Sequence, residues 1–218
     1  MRNKLLIFGF LITAIALTAM IYPSLQNEET KTTGYTIGDK AIDFSLKNAT
    51  NNMNGVGKNV SLKDYNNVKG YIVIFTCNHC PFAIAYEDRI IDLHKKYAPE
   101  GYPVIAISPN DVTKVPDDSY ANMKIRVKEK GFPFAYLIDE TQNIATAYGA
   151  TKTPHVYILE KKGNDNIVRY IGAIDDNTYE ANAVKEKYVE NAVDALLNGK
   201  SVQKTETKAI GCTIKWKS

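Results

Sequence analysis

The chain has 218 residues, of which 44% are hydrophobic and 23% are charged. A chain of this length and composition can bury its own core without disulfide staples or a structural metal, and one domain is the expected arrangement. The 27 Lys and Arg residues outnumber the 24 Asp and Glu residues by three, and Arg2 and Lys4 supply two of these charges. The remainder is close to neutral, which argues against a basic surface that binds nucleic acid.

An uncharged segment, Leu5 to Tyr22, follows the two cations near the N-terminus. Positive charge before the segment and acidic residues after it predict a cytoplasmic N-terminus and a body exported to the extracytoplasmic, periplasmic side. The segment has close to the ~20 residues that span a bilayer, as an uncleaved membrane anchor would. Ala14-Ile15-Ala16 fits the pattern of a signal-peptide cleavage site, although a poor one. An uncleaved anchor and a cleaved signal peptide are therefore equal alternatives. A buried core helix is a further alternative, but such helices seldom begin directly after two cations at the start of a chain.

Short apolar runs follow the polar linker and predict seven strands. They are Asp43–Leu46, Asn59–Leu62, Tyr71–Phe75, Pro103–Ser108, Phe134–Ile138, His155–Leu159 and Ile167–Ile174. The first two are separated by an Asn- and Gly-rich stretch, which predicts a β-hairpin with a long loop. A short turn containing Gly163 and Asn164 joins the last two, so these strands are expected to be antiparallel.

Apolar residues that recur every three or four positions predict four helices between these strands. They cover Pro81 to Tyr97, the segment after Ser119 to Lys130, Ile144 to Tyr148, and Val184 to Leu196. Pro81 suits a first helical turn, where its missing N–H costs nothing. Ser119 suits an N-cap, and Gly199 suits the end of the last helix.

The order of these elements predicts an α/β fold with helices on both faces of a central mixed sheet. A βαβ crossover gives parallel pairing, and the later hairpin gives antiparallel pairing. Four parts are expected along the chain: a signal or anchor at 1–22, a linker at 23–34, a folded domain at 35–200, and an extended tail at 201–218.

Cys77-Asn78-His79-Cys80-Pro81 lies where the strand Tyr71 to Phe75 ends and the first helix begins. A cysteine attacks as its thiolate, and the N–H groups at a helix N-terminus carry about half a positive charge that stabilises a thiolate. Cys77, at the end of the pair nearer solvent, is the predicted nucleophile. Cys80 is placed to attack a mixed disulfide on Cys77 and to release the substrate. The dithiol is then the redox centre, and no other cofactor is expected.

His79 lies between the two cysteines and can be positive near neutral pH, which favours a thiolate further. A stabilised thiolate makes the corresponding disulfide more oxidising. The direction of electron flow also depends on the partner, so the motif does not distinguish a reductase from an oxidase.

Thr153-Pro154 precedes the strand at His155, and a proline in such a turn is a candidate for a cis peptide bond. With the strand-CxxC-Pro-helix junction and the closing hairpin and helix, it makes the chain from about Tyr35 to Lys200 resemble the thioredoxin superfamily. The resemblance is to its redoxin or peroxiredoxin-like (AhpC/TSA-related) branch. Four segments resemble exported or uncharacterised peroxiredoxin-like proteins in particular: Thr76–Pro81, Asn110-Asp111, Tyr148–Ala150 and Gly211–Lys215.

The resemblance implies a thioredoxin-like three-layer fold with an added N-terminal β-hairpin. It also implies that Pro154 is cis and packs beside Cys77, where the neighbouring backbone would pair with an extended substrate. The catalytic residues it implies are Cys77, Cys80, His79 and Pro154. The residues expected near the substrate are Pro81, Thr153, His155 and Asn110.

The sequence departs from this superfamily at two points. Peroxiredoxins carry a threonine three residues before the peroxidatic cysteine, whereas Thr76 lies one residue before Cys77 and four before Cys80. Thioredoxins place a buried acidic residue in the strand before the CxxC, and Tyr71 to Phe75 contains none. The first departure weakens a peroxidase assignment. The second leaves no named group to relay the proton of Cys80.

Metal binding is an alternative interpretation of the cysteine pair. A four-ligand zinc site needs a second close pair of ligands, which the sequence lacks, and a structural disulfide is a further alternative. His79 and His155 could join the cysteines as copper ligands, as in thioredoxin-like copper chaperones, although the paired cysteines of those proteins are spaced by three residues rather than two. His155 equally suits a strand residue partnered by a backbone carbonyl. The expected site therefore contains no metal.

Cys212 is left over once Cys77 and Cys80 are paired. Ile210, Cys212, Ile214 and Trp216 recur with period two, which predicts one face of an extended tail that covers apolar surface. Two interpretations stay open: Cys212 is a small buried hydrophobic residue, or the tail folds back near Cys77 and Cys212 acts as a third redox thiol.

These features predict an extracytoplasmic thiol-disulfide oxidoreductase. Its expected partners are protein thiols and disulfides or small thiols, with a membrane-borne electron donor as a further candidate and the membrane itself if the anchor is uncleaved. One alternative is an antioxidant thiol peroxidase, in which Cys77 is oxidised to sulfenic acid and Cys80 or Cys212 resolves it. Another is a non-catalytic module that binds copper or a partner protein.

Overall fold

The computed structural model of the protein describes residues 34–50 and 58–218. Leu5 to Tyr22, the predicted signal or anchor, and residues 23–33 of the predicted linker lie outside the described residues. Within the described residues, no helix is both long and apolar enough to cross a bilayer. The described residues, including the tail, belong to one compact unit, Lys31–Ser218.

The described part of the chain contains ten strands and four α-helices. The strands are β1 (Lys40–Ala41), β2 (Leu46–Asn48), β3 (Asn59–Val60), β4 (Gly70–Phe75), β5 (Val104–Ser108), β6 (Ala135–Ile138), β7 (Lys152–Thr153), β8 (His155–Lys162), β9 (Asp165–Gly172) and β10 (Cys212–Thr213). The helices are α1 (Pro81–Tyr97), α2 (Tyr120–Lys130), α3 (Asn143–Tyr148) and α4 (Tyr188–Leu197). Short 3-10 turns cover Leu62–Asp64, Pro116–Asp118 and Ala181–Ala183.

Eight strands form a mixed sheet in the order β1-β9-β8-β4-β5-β6-β2-β3. β4, β5 and β6 pair in parallel, as βαβ crossovers require, and the other neighbours are antiparallel. Strands β7 and β10 pair with each other in a separate antiparallel ribbon. The predicted α/β fold with a central mixed sheet and an N-terminal hairpin is confirmed.

Strand β4 leads into the CxxC and is buried at all six positions. It lies between β5, its parallel neighbour, and β8, its antiparallel neighbour. Ile72 and Ile74 pack on the face covered by α1, α2 and α4. Val73 and Phe75 pack on the opposite face, with α3. Burial on both faces explains the continuous apolar run and holds the strand end that precedes Cys77 in one place.

Helix α1 starts directly after the CxxC, with Cys80 as its N-cap and Pro81 as its first residue. Its buried apolar side chains recur every three or four positions, at Tyr86, Ile90, Leu93 and Tyr97. The buried Glu87 accepts two hydrogen bonds of 2.7 Å from Arg126 of α2. This bidentate ion pair offsets the cost of burying the carboxylate and links two of the three helices that cover this face of the sheet.

Several predicted boundaries differ from the structure, among them the ends of the strands predicted at Asn59–Leu62, His155–Leu159 and Ile167–Ile174. Two further differences have identifiable reasons. The first hairpin strand begins at Leu46 rather than at Asp43, because Asp43 Oδ1 accepts hydrogen bonds from the backbone N–H groups of Phe44 and Leu62 and so turns the chain before the strand. The last helix begins at Tyr188 rather than at Val184. Residue Val184 is extended there, and the Asp176 carboxylate accepts from the next backbone N–H, which holds the segment outside the helix.

The predicted caps of the helices are confirmed. Ser119 is the N-cap of α2, and its hydroxyl accepts a hydrogen bond from the backbone N–H of Asn122. Gly199 follows the end of α4 with a φ of +66°, a left-handed conformation that favours glycine.

The tail prediction is only partly correct. Cys212 and Thr213 form β10, so part of the tail is extended. Ile214 is 4% exposed and covers the core, and Cys212 is half-buried. Ile210 and Trp216 are 44% and 38% exposed, so the prediction that they cover apolar surface is wrong. The strand is too short to carry the period-two alternation as far as these two residues.

Replacing Ile74 with alanine should lower the free energy of unfolding by about 2–5 kcal/mol, because a fully buried side chain leaves a cavity. Ile125→Ala on α2 is the matched control, since Ile125 is 54% exposed, and it should change the free energy by less than about 0.5 kcal/mol. Urea unfolding followed by circular dichroism measures both. Equal effects of the two substitutions would contradict the central position of β4.

Candidate active site

The CxxC motif forms the turn between β4 and α1, as the sequence predicts. Cys77 is 3% exposed and Cys80 is 0% exposed, while Asn78 and His79 between them are half-buried. Cys77 therefore has a slightly larger exposed fraction than Cys80, and both residues are covered in this conformation. Cys80, at the N-cap of α1, is placed where the free N–H groups of the helix converge.

Thr153 contacts both sulfurs of the motif. Its hydroxyl lies 3.2 Å from Cys77 Sγ, and its carbonyl oxygen accepts a 3.2 Å hydrogen bond from Cys80 Sγ. The peptide bond between Thr153 and Pro154 is cis, as the family resemblance implies. The fold thus brings the Thr153-Pro154 loop against the CxxC, 73 residues along the chain from Cys80.

The interaction between the two thiols shifts their pKa values in opposite directions. It raises the pKa of Cys77 well above the usual range, and burial and the negative charge of Asp118 act in the same direction. The same interaction lowers the pKa of Cys80, and the contact with Cys212 and the Ala83 backbone N–H lower that pKa further. Cys80 is therefore the more readily ionised of the two thiols.

Asp118 is a site residue that the sequence did not reveal. It is fully buried, at the end of a 3-10 turn. One carboxylate oxygen accepts from the backbone N–H groups of Asn78 at 2.8 Å and His79 at 3.2 Å. The other lies 2.7 Å from His79 Nδ1 and accepts from the Asn110 amide at 2.7 Å. The adjacent Asp117 is exposed, and nothing in the local sequence distinguishes the two aspartates.

The four N–H groups around Asp118 offset the cost of burying its charge. They also tie the CxxC turn to a distant segment, since Asn78 and Asp118 are 40 residues apart. The sequence lacks a buried acid in β4, and the fold supplies one from the turn before α2.

His79 binds Asp118 through Nδ1, which carries the proton because a carboxylate only accepts hydrogen bonds. The positive charge expected to favour a thiolate is thus directed at a carboxylate. Among the described residues, Cys77, His79 and Asp118 are the one group of three metal-capable side chains with ligand atoms within 4.8 Å of one another. In this structure His79 Nδ1 and both oxygens of the carboxylate are engaged in hydrogen bonds.

Two of the residues predicted near the substrate lie at the edge of this cluster. Asn110 is 4% exposed and bridges Asp118 to the tail, since its Oδ1 accepts from the backbone N–H of Lys215 at 2.8 Å. Asn110 thus connects the tail to the Asp118 carboxylate that binds the CxxC turn. Pro81 is exposed at the first turn of α1, on the outer side of the motif.

His155 is buried in β8, opposite Phe75 on the strand that leads to Cys77. Its Nδ1 accepts a 3.3 Å hydrogen bond from the backbone N–H of Thr151, and its ring centre lies 4.9 Å from that of Tyr157. The prediction that a backbone carbonyl partners His155 is wrong, because Nδ1 accepts a hydrogen bond from a backbone N–H. Burial lowers the pKa of His155 to about 4, so the ring is neutral near pH 7.

A CxxC at a strand-to-helix junction, packed against a Thr-cis-Pro loop in a mixed sheet, defines a redox protein of the thioredoxin superfamily. Comparison with known families agrees with this class. The family model of the AhpC/TSA family matches residues 37–171, and the chain belongs to that family, in the redoxin branch of the superfamily. It is accordingly an oxidoreductase.

Similar proteins cover most of the chain. An uncharacterized conserved protein from Geobacillus kaustophilus is 37% identical; the match covers 84% of this chain and 93% of that chain, with a TM-score of 0.74. A hypothetical protein from Sinorhizobium meliloti 1021 is 32% identical over 85% of this chain and 97% of that chain, with a TM-score of 0.75. Thiol-disulfide oxidoreductase ResA from Bacillus thuringiensis subsp. konkukian is 26% identical over 166 residues, 75% of this chain and 86% of that protein.

Asp118→Asn should lower the pKa of the Cys77 thiol by about one unit, because it removes a negative charge that opposes the thiolate. The titration is cleanest in a chain in which Cys80 and Cys212 are serine, so that Cys77 is its single thiol. The rate of alkylation by iodoacetamide as a function of pH reports the pKa. Asp117→Asn is the matched control at an exposed carboxylate and should leave the titration unchanged. Equal shifts in both variants would contradict the role of Asp118.

Two histidines, the buried His155 and the half-buried His94, should make the protein less stable in mildly acidic solution. Burial lowers the pKa of His94 and of His155 to about 4, below the ordinary value of 6.5. The unfolded chain takes up these protons as the pH falls below 6.5 and the folded chain does not, so the free energy of unfolding falls with the pH in this window. Each histidine should contribute about 1–2 kcal/mol of loss between about pH 7 and pH 5.

Denaturant unfolding at the two pH values measures this loss. His94→Gln and His155→Gln should each flatten the dependence by one histidine's share, because glutamine keeps an acceptor and does not titrate. An unchanged slope in the double variant would show that other groups cause the loss.

Proposed function

We propose that the protein is an extracytoplasmic thiol-disulfide oxidoreductase that exchanges disulfides through Cys77 and Cys80. The observation that carries this proposal is the pair of thiols at a helix N-terminus, both in contact with Thr153. Cys80 is the more readily ionised thiol and Cys77 has the larger exposed fraction, a division of roles that suits two-step disulfide exchange.

The relatives support the type of reaction. ResA proteins from Bacillus thuringiensis, Geobacillus thermodenitrificans and Bacillus cereus, each matching about three quarters of this chain, are named thiol-disulfide oxidoreductases. The location follows from the charge pattern around Leu5 to Tyr22, and disulfides persist outside the cytoplasm. A fusion to a reporter enzyme that is active only outside the cytoplasm checks the location, and an inactive fusion would contradict it.

Exchange begins at Cys77, the cysteine of the motif with the larger exposed fraction. When Cys80 is ionised, the proton of Cys77 passes to it, and the new Cys77 thiolate attacks one sulfur of an external disulfide. The external S–S bond breaks, a mixed disulfide forms on Cys77, and the first external thiol leaves as a thiolate that takes the proton from Cys80.

Cys80 completes the reaction. Its thiolate attacks the sulfur of Cys77, the Cys77–Cys80 disulfide forms, and the second external thiol leaves as a thiolate. Two electrons have then moved from the protein to the external disulfide. The same steps in reverse deliver a disulfide to a dithiol, so the partner sets the direction.

Cys77→Ser should reduce catalysed insulin reduction by dithiothreitol to the uncatalysed rate, because no accessible thiolate remains. Cys80→Ser should instead accumulate mixed disulfides on Cys77, which are visible as higher-mass species on non-reducing gels, since the resolving thiol is missing. Circular dichroism and thermal melting serve as controls for folding. Insulin reduction that is as fast with Cys77→Ser as with the wild-type protein would contradict the proposal.

A thiol peroxidase is a second candidate function, favoured by the AhpC/TSA family match and by the Thr153 hydroxyl 3.2 Å from Cys77 Sγ. Stopped-flow measurement of hydrogen peroxide consumption distinguishes the two. Disulfide exchange as the main function predicts a rate near that of free cysteine. A Cys77-dependent rate many times faster would favour the peroxidase instead.

A further inference from the structure

The C-terminal tail is docked beside the CxxC by its backbone. Cys212 of β10 lies opposite Thr153 of β7, the residue that contacts both active-site sulfurs. Gly211 lies so close to this strand that a Cβ on it would come within 2.1 Å of the Thr153 carbonyl oxygen. The tail therefore occupies the backbone next to the cis-proline, the edge at which the family resemblance places an extended substrate.

Hydrogen bonds hold the tail in place beyond Cys212. The backbone N–H of Lys215 donates to Asn110 Oδ1 at 2.8 Å, and its carbonyl accepts from the backbone N–H of Asp111 at 2.8 Å and from the Gln142 side chain at 2.9 Å. Ile214 is buried in the core between these bonds and Cys212. Because both sides of Cys212 are held, its sulfur has a defined position.

That position is next to Cys80. The Sγ atoms of Cys80 and Cys212 lie 2.6 Å apart, and a disulfide bond measures about 2.03–2.05 Å. Two thiols that touch only through packing do not approach this closely, so a shift of about half an ångström would join them. Cys80 thus has a thiol partner on each side, Cys77 within the motif and Cys212 from the tail.

The protonation of the cluster suits this arrangement. Burial, reinforced by the contact with Cys80, raises the pKa of Cys212 to about 11, so Cys212 is protonated in the reduced protein. Cys80 lies between two thiols and can form a disulfide with either of them once an oxidant is supplied.

We propose that Cys212 is a third redox-active thiol and that oxidised protein holds a Cys80–Cys212 disulfide, which returns Cys77 to its free form. This inference rests on the proposed exchange at Cys77 and Cys80. After the Cys77–Cys80 disulfide has formed, the second external thiolate takes the proton of Cys212. The Cys212 thiolate attacks the sulfur of Cys80, the Cys77–Cys80 bond breaks, and Cys77 leaves as a thiolate.

The external disulfide is the only electron acceptor that these steps need. It gains two electrons and becomes two thiols, while Cys80 and Cys212 each lose one electron and form one S–S bond. Cys212 is half-buried, whereas Cys77 and Cys80 are covered, so Cys212 is the sulfur of the new disulfide that an external thiol can reach. The site then meets its disulfide substrate at Cys77 and its reducing thiol at Cys212.

Disulfide mapping tests the proposal on the full chain. The reduced protein is treated with glutathione disulfide, its free thiols are blocked with iodoacetamide, and it is digested with trypsin. Cys77 and Cys80 lie on peptide 70–89 and Cys212 on peptide 209–215, so the proposed bond joins the two peptides, and fragmentation shows which cysteine is alkylated. We expect Cys80 bonded to Cys212 and Cys77 alkylated. A Cys77–Cys80 bond with Cys212 alkylated in all molecules would overturn the proposal.

Gly211→Val supplies an independent test with all three cysteines present. The added side chain collides with the Thr153 carbonyl and should undock β10, which lowers the effective concentration of Cys212 at Cys80 and should reduce the Cys80–Cys212 product by at least about tenfold. The Cys77–Cys80 disulfide should replace it. Thr213→Val is the control, because Thr213 is exposed on the same strand, and it should leave the product unchanged. Equal yields from both variants would contradict the role of docking.

Insulin reduction on the same samples separates this proposal from the proposed function. If turnover requires Cys77 but no Cys80–Cys212 bond forms, the proposal for Cys212 is wrong and the proposed function stands. A Cys80–Cys212 bond in a protein without turnover overturns both, because the bond is then structural and cycles no electrons. The bond together with Cys77-dependent turnover supports both.

Discussion

Thr153 holds together three segments that are far apart in the sequence. Its hydroxyl touches the sulfur of Cys77, its carbonyl accepts from the sulfur of Cys80, and its backbone lies opposite Cys212 in the β7–β10 ribbon. The burial of β4 and the position of β8 fix the two strands whose ends meet at this residue. Each thiol therefore has a position that depends on the same small piece of backbone, and a shift of that backbone would separate them all.

Charge at this point is controlled by Asp118. A carboxylate that is fully buried needs hydrogen bonds from every side, and Asp118 obtains them from the CxxC turn, from His79 and from Asn110. Its negative charge opposes a thiolate on Cys77, while the donors around Cys80 favour one there. Cys80 is therefore the more readily ionised thiol, and the surroundings of Cys77 oppose its ionisation.

The family match favours peroxide reduction, whereas the residues of the site favour disulfide exchange. The AhpC/TSA family model covers most of the folded part of the chain, yet the threonine that peroxiredoxins place three residues before the reactive cysteine is absent before Cys77. In its place a hydroxyl reaches Cys77 from Thr153 in the opposite loop. The second cysteine of the motif and the tail thiol of Cys212 add partners that favour exchange between sulfurs. The fold alone would not separate these reactions, because the surrounding residues determine the chemistry.

The sequence by itself determined the strand-to-helix junction at Cys77, the helix that starts at Pro81 and the mixed sheet, because hydrophobic periodicity and cap residues are local signals. Only the tertiary structure decided that Asp118 is buried and Asp117 is not, that Cys80 is the more readily ionised thiol, and that Cys212 reaches it across 132 residues. Those outcomes depend on contacts between segments distant in the chain. The period-two pattern of the tail could suggest a buried face, but the length of β10, set by its pairing with β7, determined where that face ends.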